Sequence, residues 1–289
     1  MKYELIVVAS VLFLMFFGVQ RPCAASDGAD DGVFRSKVGE IDVFTLPERQ
    51  SEGDASILIG ASSQDVKKYV PTGGYATAVN AFAVKTPGGV ILIDTGFGQK
   101  LDANLRVAGF GPEEISAVLI THSHGDHIGG LLKNGSPAFP NAKVYVSSPE
   151  FGWSTQVRRS LSGYEGRVVR FTPGSLAEPG DELVKGIRAI AAFGHTPGHT
   201  LFMLESAGER LLVWGDLTHA MAIQMPRPDV SVTYDSDPAM AAAVRKEVLE
   251  FAMKSGVPIA GMHIPYPGVG KIKRDPDALG SYEFAPSGM

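Results

Sequence analysis

The 289-residue chain holds a single cysteine, Cys23, inside an N-terminal apolar segment. One thiol excludes a disulfide framework, and if that segment is removed it also excludes thiolate catalysis and thiolate metal ligation. Positive charge is scarce as well. Lys and Arg number 26 against 31 Asp and Glu, a formal net charge of −5. Only Lys271-Ile272-Lys273-Arg274 gathers basic residues, and it reads as a solvated loop. An acidic chain without a basic stripe argues against nucleic acid held through its phosphates. The longest apolar run, Leu5–Phe17, broken only by Ser10, falls short of the ~18–20 residues that span a bilayer.

That run has a different meaning. Lys2 gives it a positive start, with Glu4 a mild departure, and Gln20-Arg21-Pro22 breaks it. Cys23-Ala24-Ala25 then places small residues at the −3 and −1 positions of a cleavage site before Ser26. Gln20-Arg21-Pro22 matches a lipid-attachment site on Cys23 poorly. Residues 1–25 are therefore expected to be a cleaved secretory signal peptide, and residues 26–289 one periplasmic or secreted domain with no membrane anchor. Loss of Lys2, Arg21 and Glu4 would leave a net charge of −6. Ser26–Asp31 is polar and is expected to be disordered.

The rest is ordinary globular sequence, 44% hydrophobic, with 34 glycines and 19 prolines marking many loops. Strands are expected at Ile41–Leu46, Ala81–Lys85, Val90–Ile93, Ala117–Thr121, Lys143–Val146, Ile187–Ala191, Leu201–Leu204, Leu211–Trp214 and Pro258–Gly261. Thr86-Pro87-Gly88-Gly89 is a hairpin-type turn. Pro238–Lys254 has helical spacing, with Pro238 near its start and Gly256 beyond its end. Helices alternating with strands make a mixed α/β domain, and neither an internal repeat nor a dividing linker is visible.

Seven histidines are present, and three fall in His122-Ser123-His124-Gly125-Asp126-His127, directly after an expected strand. Residues two apart in extended chain share a side, so His122 and His124 can chelate one ion. Gly125 turns the chain, and Asp126 and His127 then project from the next helix toward a neighbouring point, while Gly129 and Gly130 let that helix pass close to the sheet. Imidazole and carboxylate donors at this spacing suit zinc or a similar divalent ion.

This motif resembles the signature of the metallo-β-lactamase superfamily, and further elements follow in the family's order. Asp94 in Ile93-Asp94-Thr95-Gly96 resembles the aspartate preceding the signature. Gly194-His195-Thr196-Pro197-Gly198-His199 resembles the third ligand motif, Gly215-Asp216 the bridging aspartate, and His263 the last histidine. The resemblance implies an αββα four-layer sandwich with two divalent metal ions, zinc above all. It places one ion on His122, His124 and His195 and the second on Asp126, His127 and His263, with Asp216 bridging. Asp94 would orient the ligand loop, and His199, His219 and Tyr266 would support ligands or line the pocket. Spacing alone leaves either His195 or His199 able to coordinate.

A dinuclear site lowers the pKa of bound water from ~15.7 to near ~7, so hydroxide is available at neutral pH. The resemblance thus implies hydrolysis, with Asp126 or Asp216 shuttling a proton to the leaving group. Gly215-Asp216-Leu217-Thr218-His219, Asp235-Ser236-Asp237-Pro238, His263-Ile264-Pro265-Tyr266-Pro267-Gly268 and Tyr282-Glu283-Phe284-Ala285-Pro286 are similar to an exported methyl parathion hydrolase-like branch. The expected substrate is a small, fairly apolar ester, lactone or organophosphate triester, with Val70 to Ala78, together with Tyr69, Pro71 and Tyr75, and the segment around Tyr266 as pocket walls. Alternatives are a β-lactamase, a glyoxalase II-like thioesterase, a mononuclear-iron persulfide dioxygenase and a non-catalytic metal-binding protein. Composition leaves the oligomeric state undefined.

Overall fold

Apolar runs without alternation, such as Val90-Ile91-Leu92-Ile93 and Leu201-Phe202-Met203-Leu204, belong to strands covered on both faces. A computed structural model, which describes residues 32–276, 278 and 280–287, supplies that cover with two stacked sheets and outer helices. One sheet holds β1 (Phe34–Val38), β2 (Ile41–Asp54), β3 (Gly74–Thr86), β4 (Gly89–Ile93), β5 (Ile115–Leu119), β6 (Lys143–Ser147) and β7 (Val168–Phe171). The other holds β8 (Glu182–Val184), β9 (Ile187–Ala191), β10 (Thr200–Ser206), β11 (Glu209–Val213), β12 (Ile259–Ala260), β13 (Val269–Arg274) and β14 (Tyr282–Pro286). In both, strands lie side by side in chain order.

The helices are α1 (Ser63–Tyr69), α2 (Leu101–Val107), α3 (Gly125–Ile128), α4 (Ser148–Trp153), α5 (Thr155–Ser160), α6 (Met221–Gln224) and α7 (Pro238–Ser255). Strands β4 to β7 run parallel, as do β11 and β12. Parallel neighbours need crossovers, and α2, α3, α4 with α5, and α7 lie in them.

Three apolar layers follow from the pleat. Phe82, Val84, Ile91 and Ile93 face Phe202, Leu204, Leu211 and Val213 between the sheets. Ala81, Ala83 and Leu92 point the other way onto Leu101, Leu105 and Val157. Leu201, Met203 and Leu212 pack against Val248, Leu249 and Ala252 of α7. The architecture is the expected αββα sandwich. Helix α7 is capped by Asp237, whose carboxylate accepts from Met240 N at 3.0 Å, and ends at Gly256 in the left-handed region (φ 65°).

Several expectations need correction. Lys271–Arg274 is no solvated loop but most of β13, with Ile272 buried in the layer under α7. Strands β2 and β3 run well beyond their expected ends and pair from Asp42 with Lys85 to Asp54 with Gly74. Strands β1, β7, β8, β13 and β14 add to those the sequence predicts. Gly129 and Gly130 do permit a close approach, but to the loop after β4: a Cβ on Gly130 would meet Thr95 O at 2.5 Å. Residues 1–25 and Ser26–Asp31 lie outside the described residues.

Candidate metal centre

Parallel strands present their C-terminal ends at one edge, and the functional side chains sit there. Asp94 follows β4, His122 to His127 follow β5, Asp216 follows β11 and His263 follows β12, while His195 lies in the β9–β10 connection. Backbone bonds lock the two sheets at this edge: Thr200 N donates to Thr121 O at 3.0 Å, and Asn80 N to Met262 O at 2.9 Å.

His122, His124, His195 and Asp216 converge into one group. His122 Nε2 lies 3.0 Å from His124 Nδ1. His195 Nε2 lies 3.2 Å from His122 Nε2, 3.0 Å from His124 Nδ1 and 3.3 Å from Asp216 Oδ2. A tetrahedron of nitrogens about 2.0–2.1 Å from zinc has edges of about 3.3–3.4 Å, close to this spacing. Asp126, His127 and His263 form a second group beside it. His127 Nε2 and Asp216 Oδ1 stand 3.1 Å apart, both buried and both without a hydrogen-bond partner. Buried polar atoms without a well-formed hydrogen bond are rare, and a cation between these two would satisfy both. The Asp216 carboxylate thus lies between the groups, its Oδ2 3.0 Å from His263 Nε2. The donor set and its orphaned atoms fit a pair of divalent ions.

Electrostatics agree. Burial and the neighbouring His127 push His122 well below the usual histidine range, and burial with His195 pushes His124 down to about 4. Burial is the largest single influence on His127, His195 and His263 and opposes their charge, but carboxylates together raise all three: Asp216 with Asp126 and Asp94 for His127, with Asp235 for His195 and with Asp126 for His263. Burial would lift Asp216 too, yet His127, His263 and His122 hold it well below the carboxylate range. An ionised carboxylate ringed by imidazoles is the electrostatic centre.

Three of the rings are oriented from behind. Asp94 accepts from Thr121 N at 2.8 Å and Thr121 Oγ1 at 2.6 Å, and pairs with His127 Nδ1 at 2.7 Å. It holds φ 58°, a backbone position non-glycine residues seldom take, and three buried bonds offset that strain. His263 Nδ1 donates to Ala78 O at 2.7 Å. His195 Nδ1 meets Asp235 Oδ1 at 2.8 Å, while Asp235 Oδ2 accepts from Val232 N and faces the buried Arg245 at 3.7 Å. Arg245 also donates to Leu217 O at 2.7 Å, tying α7 to the loop that carries Asp216.

His199 lies behind the groups: Nδ1 donates to Ala192 O at 3.0 Å and Nε2 accepts from Asp216 N at 3.0 Å. His219 both lines the pocket and reaches the bridging carboxylate, with Nε2 3.1 Å from Asp216 Oδ2 and its ring stacked on His263 at 4.6 Å. Tyr266 does not enter the pocket. Its ring packs edge-on to Phe34, and the residue is 47% exposed. Sequence reasoning missed the orienting role of Asp235, the buried Arg245 and the buried Glu150, because each acts on a loop distant in the chain.

A cleft of about 460 Å³ opens onto both groups, lined by Arg49, Ile57, Tyr75, Phe97, Tyr234 and His219 among others. The long β2–β3 ladder supplies one wall, including Tyr75, Thr77 and Ala78. Tyr69 and Pro71, expected beside the pocket, are not among its walls.

Comparison with known proteins converges on one family. The family model described as the Metallo-beta-lactamase superfamily matches residues 74–258. A curated relative, the lactamase-like protein nscB of Trichophyton rubrum, is 31% identical over 162 residues, which are 53% of this chain and 43% of that protein. The match thus spans under half of that relative's length. Among solved structures, hydrolase AbOPH of the beta lactamase superfamily superposes with a TM-score of 0.80 at 27% identity, covering 91% of this chain and 99% of that one. AidC, a dizinc quorum-quenching lactonase in complex with its product, shares the fold at a TM-score of 0.79 and 24% identity, covering 90% and 99%.

Proposed function

This chain belongs to the metallo-beta-lactamase superfamily, and from that premise we propose that it is a dinuclear-metal hydrolase of small esters, lactones or organophosphate triesters. The observation that carries the reading is the Asp216 carboxylate, set between the three-histidine group and the Asp126, His127 and His263 group at the base of a cleft. Two zinc ions held there would supply Lewis acidity and a water whose pKa falls from ~15.7 toward ~7.

The protein's own residues do the rest. Asp216, 2% exposed and surrounded by imidazoles, is fixed in place, whereas Asp126 is 22% exposed and borders the cleft. Asp126 is therefore the carboxylate placed to pass a proton to the leaving group. Ile57, Val79, Phe97, Tyr75 and Tyr234 offer apolar and aromatic cover for an acyl or aryl substituent. Burial, with Tyr234 and Asp54 nearby, pushes the Tyr75 hydroxyl up to about 12. It stays protonated at working pH and can donate to a substrate oxygen. The likeness of the Gly215–His219 and His263–Gly268 loops to the methyl parathion hydrolase-like branch supports a triester among the substrates.

The test is a panel of aryl esters, lactones and phosphotriesters with purified protein. Turnover of at least one class should disappear on chelation and return with zinc. Failure on all three classes at full metal loading would refute the substrate reading. A single iron with oxygen consumption on a persulfide would favour the redox alternative instead.

A further inference from the structure

Glu150 is 1% exposed and lies in the first turn of α4, just after β6. Its carboxylate accepts bonds from two separate loops. Oε1 accepts from Ser123 N at 2.9 Å and from Ser123 Oγ. Oε2 accepts from Thr196 Oγ1 at 2.6 Å and from Gly198 N at 3.1 Å. Ser123 stands between His122 and His124, and Thr196 follows His195. The neighbouring Ser147 strengthens the join, since its Oγ donates to Gly198 O at 2.8 Å. Gly198 sits so close that a Cβ there would collide with Glu150 N. No described hydrogen bond joins Glu150 to Asp126, His127 or His263.

We propose that Glu150 is the positioning residue of the three-histidine site, a clamp that sets the separation of its two ligand loops. The proposal rests on the reading that His122, His124 and His195 hold one ion. The donor pattern says why a carboxylate is needed. Each oxygen receives one backbone N–H, which cannot turn away, and one hydroxyl, which can rotate. A glutamine amide would therefore set its own NH₂ against a backbone N–H whichever way it is flipped. It can hold one loop but not both. The His195 ring would then drift from the His122 and His124 nitrogens now 3.2 and 3.0 Å away.

Zinc titration against a competing chelator tests this in two backgrounds. His263→Ala disables the second site and leaves the three-histidine site, and His195→Ala does the reverse. Glu150→Gln should weaken zinc about 10- to 100-fold in the His263→Ala background, the range typical when support behind metal ligands is lost. It should leave affinity unchanged in the His195→Ala background. A general structural role would weaken both alike, and that result, or no change in the three-histidine background, overturns the proposal. Thr196→Val removes one bond from Oε2 with little change in shape, so it carries the same comparison if Glu150→Gln does not fold. Zinc uptake by the His263→Ala protein that the further change His195→Ala does not abolish refutes the underlying assignment, and the clamp with it. The zinc content of that pair thus separates that failure from the failure of the clamp alone.

Discussion

His195 and His199 stand four residues apart in one loop, and spacing does not choose between them. Their hydrogen bonds do. His195 presents Nε2 to His122, His124 and Asp216 and leans on Asp235 through Nδ1. Both nitrogens of His199 are committed, to Ala192 O and Asp216 N. His195→Ala should therefore lose one ion and nearly all activity, whereas His199→Ala should keep both ions and lose only about 10- to 100-fold. Elemental analysis beside turnover checks this, and the reverse pattern of metal content would contradict it. The residues legible in the sequence are those packed into a compound motif or set at a strand end. Glu150, Asp235 and Arg245 carry no such signal. Their partners lie tens of positions away, and a lone acid in a helix or turn looks the same whether or not it meets one.

At the scale of elements, apolar runs located the inner strands because both faces of those strands are covered. Strands β1 and β8 leave no apolar run in the sequence because half or more of their residues are exposed or partly so and charges interrupt them, as in Phe34-Arg35-Ser36-Lys37-Val38. Strand β13 resembles a loop in sequence for the same reason, with Lys271, Lys273 and Arg274 facing water. Its charge does not stand alone. Arg274 pairs with Glu250 of α7 at 2.9 Å, and Tyr282 of β14 donates to the same oxygen at 2.7 Å. The Tyr282 hydroxyl, Lys254 and Arg274 hold Glu250 at about 2, below its ordinary 4.5. A depressed carboxylate contributes stability above its unfolded pKa and loses it as pH falls through the folded one. Glu250→Gln should therefore lower the unfolding midpoint at neutral pH, and the gap to wild type should close as pH falls from 4.5 toward about 2. Denaturation at a series of pH values checks it, and a gap independent of pH would contradict it.

At the scale of the whole molecule, two sheets that each add strands in chain order bring distant loops to one edge. Residues 122 to 263 meet there although more than a hundred positions separate them. The N-terminal segment bears on where such a protein works. Chain recovered from its native host should have the mass of a molecule beginning at or near Ser26, and full-length chain in the cytosol would contradict export. The central claim is that one edge of the sandwich holds two ions sharing Asp216. Anomalous diffraction at the zinc edge from crystals of the zinc-loaded protein tests it most directly. Two peaks should appear, one among His122, His124 and His195 and one among Asp126, His127 and His263, with Asp216 reaching both. A single peak, or one coordinated by His199, would contradict the account.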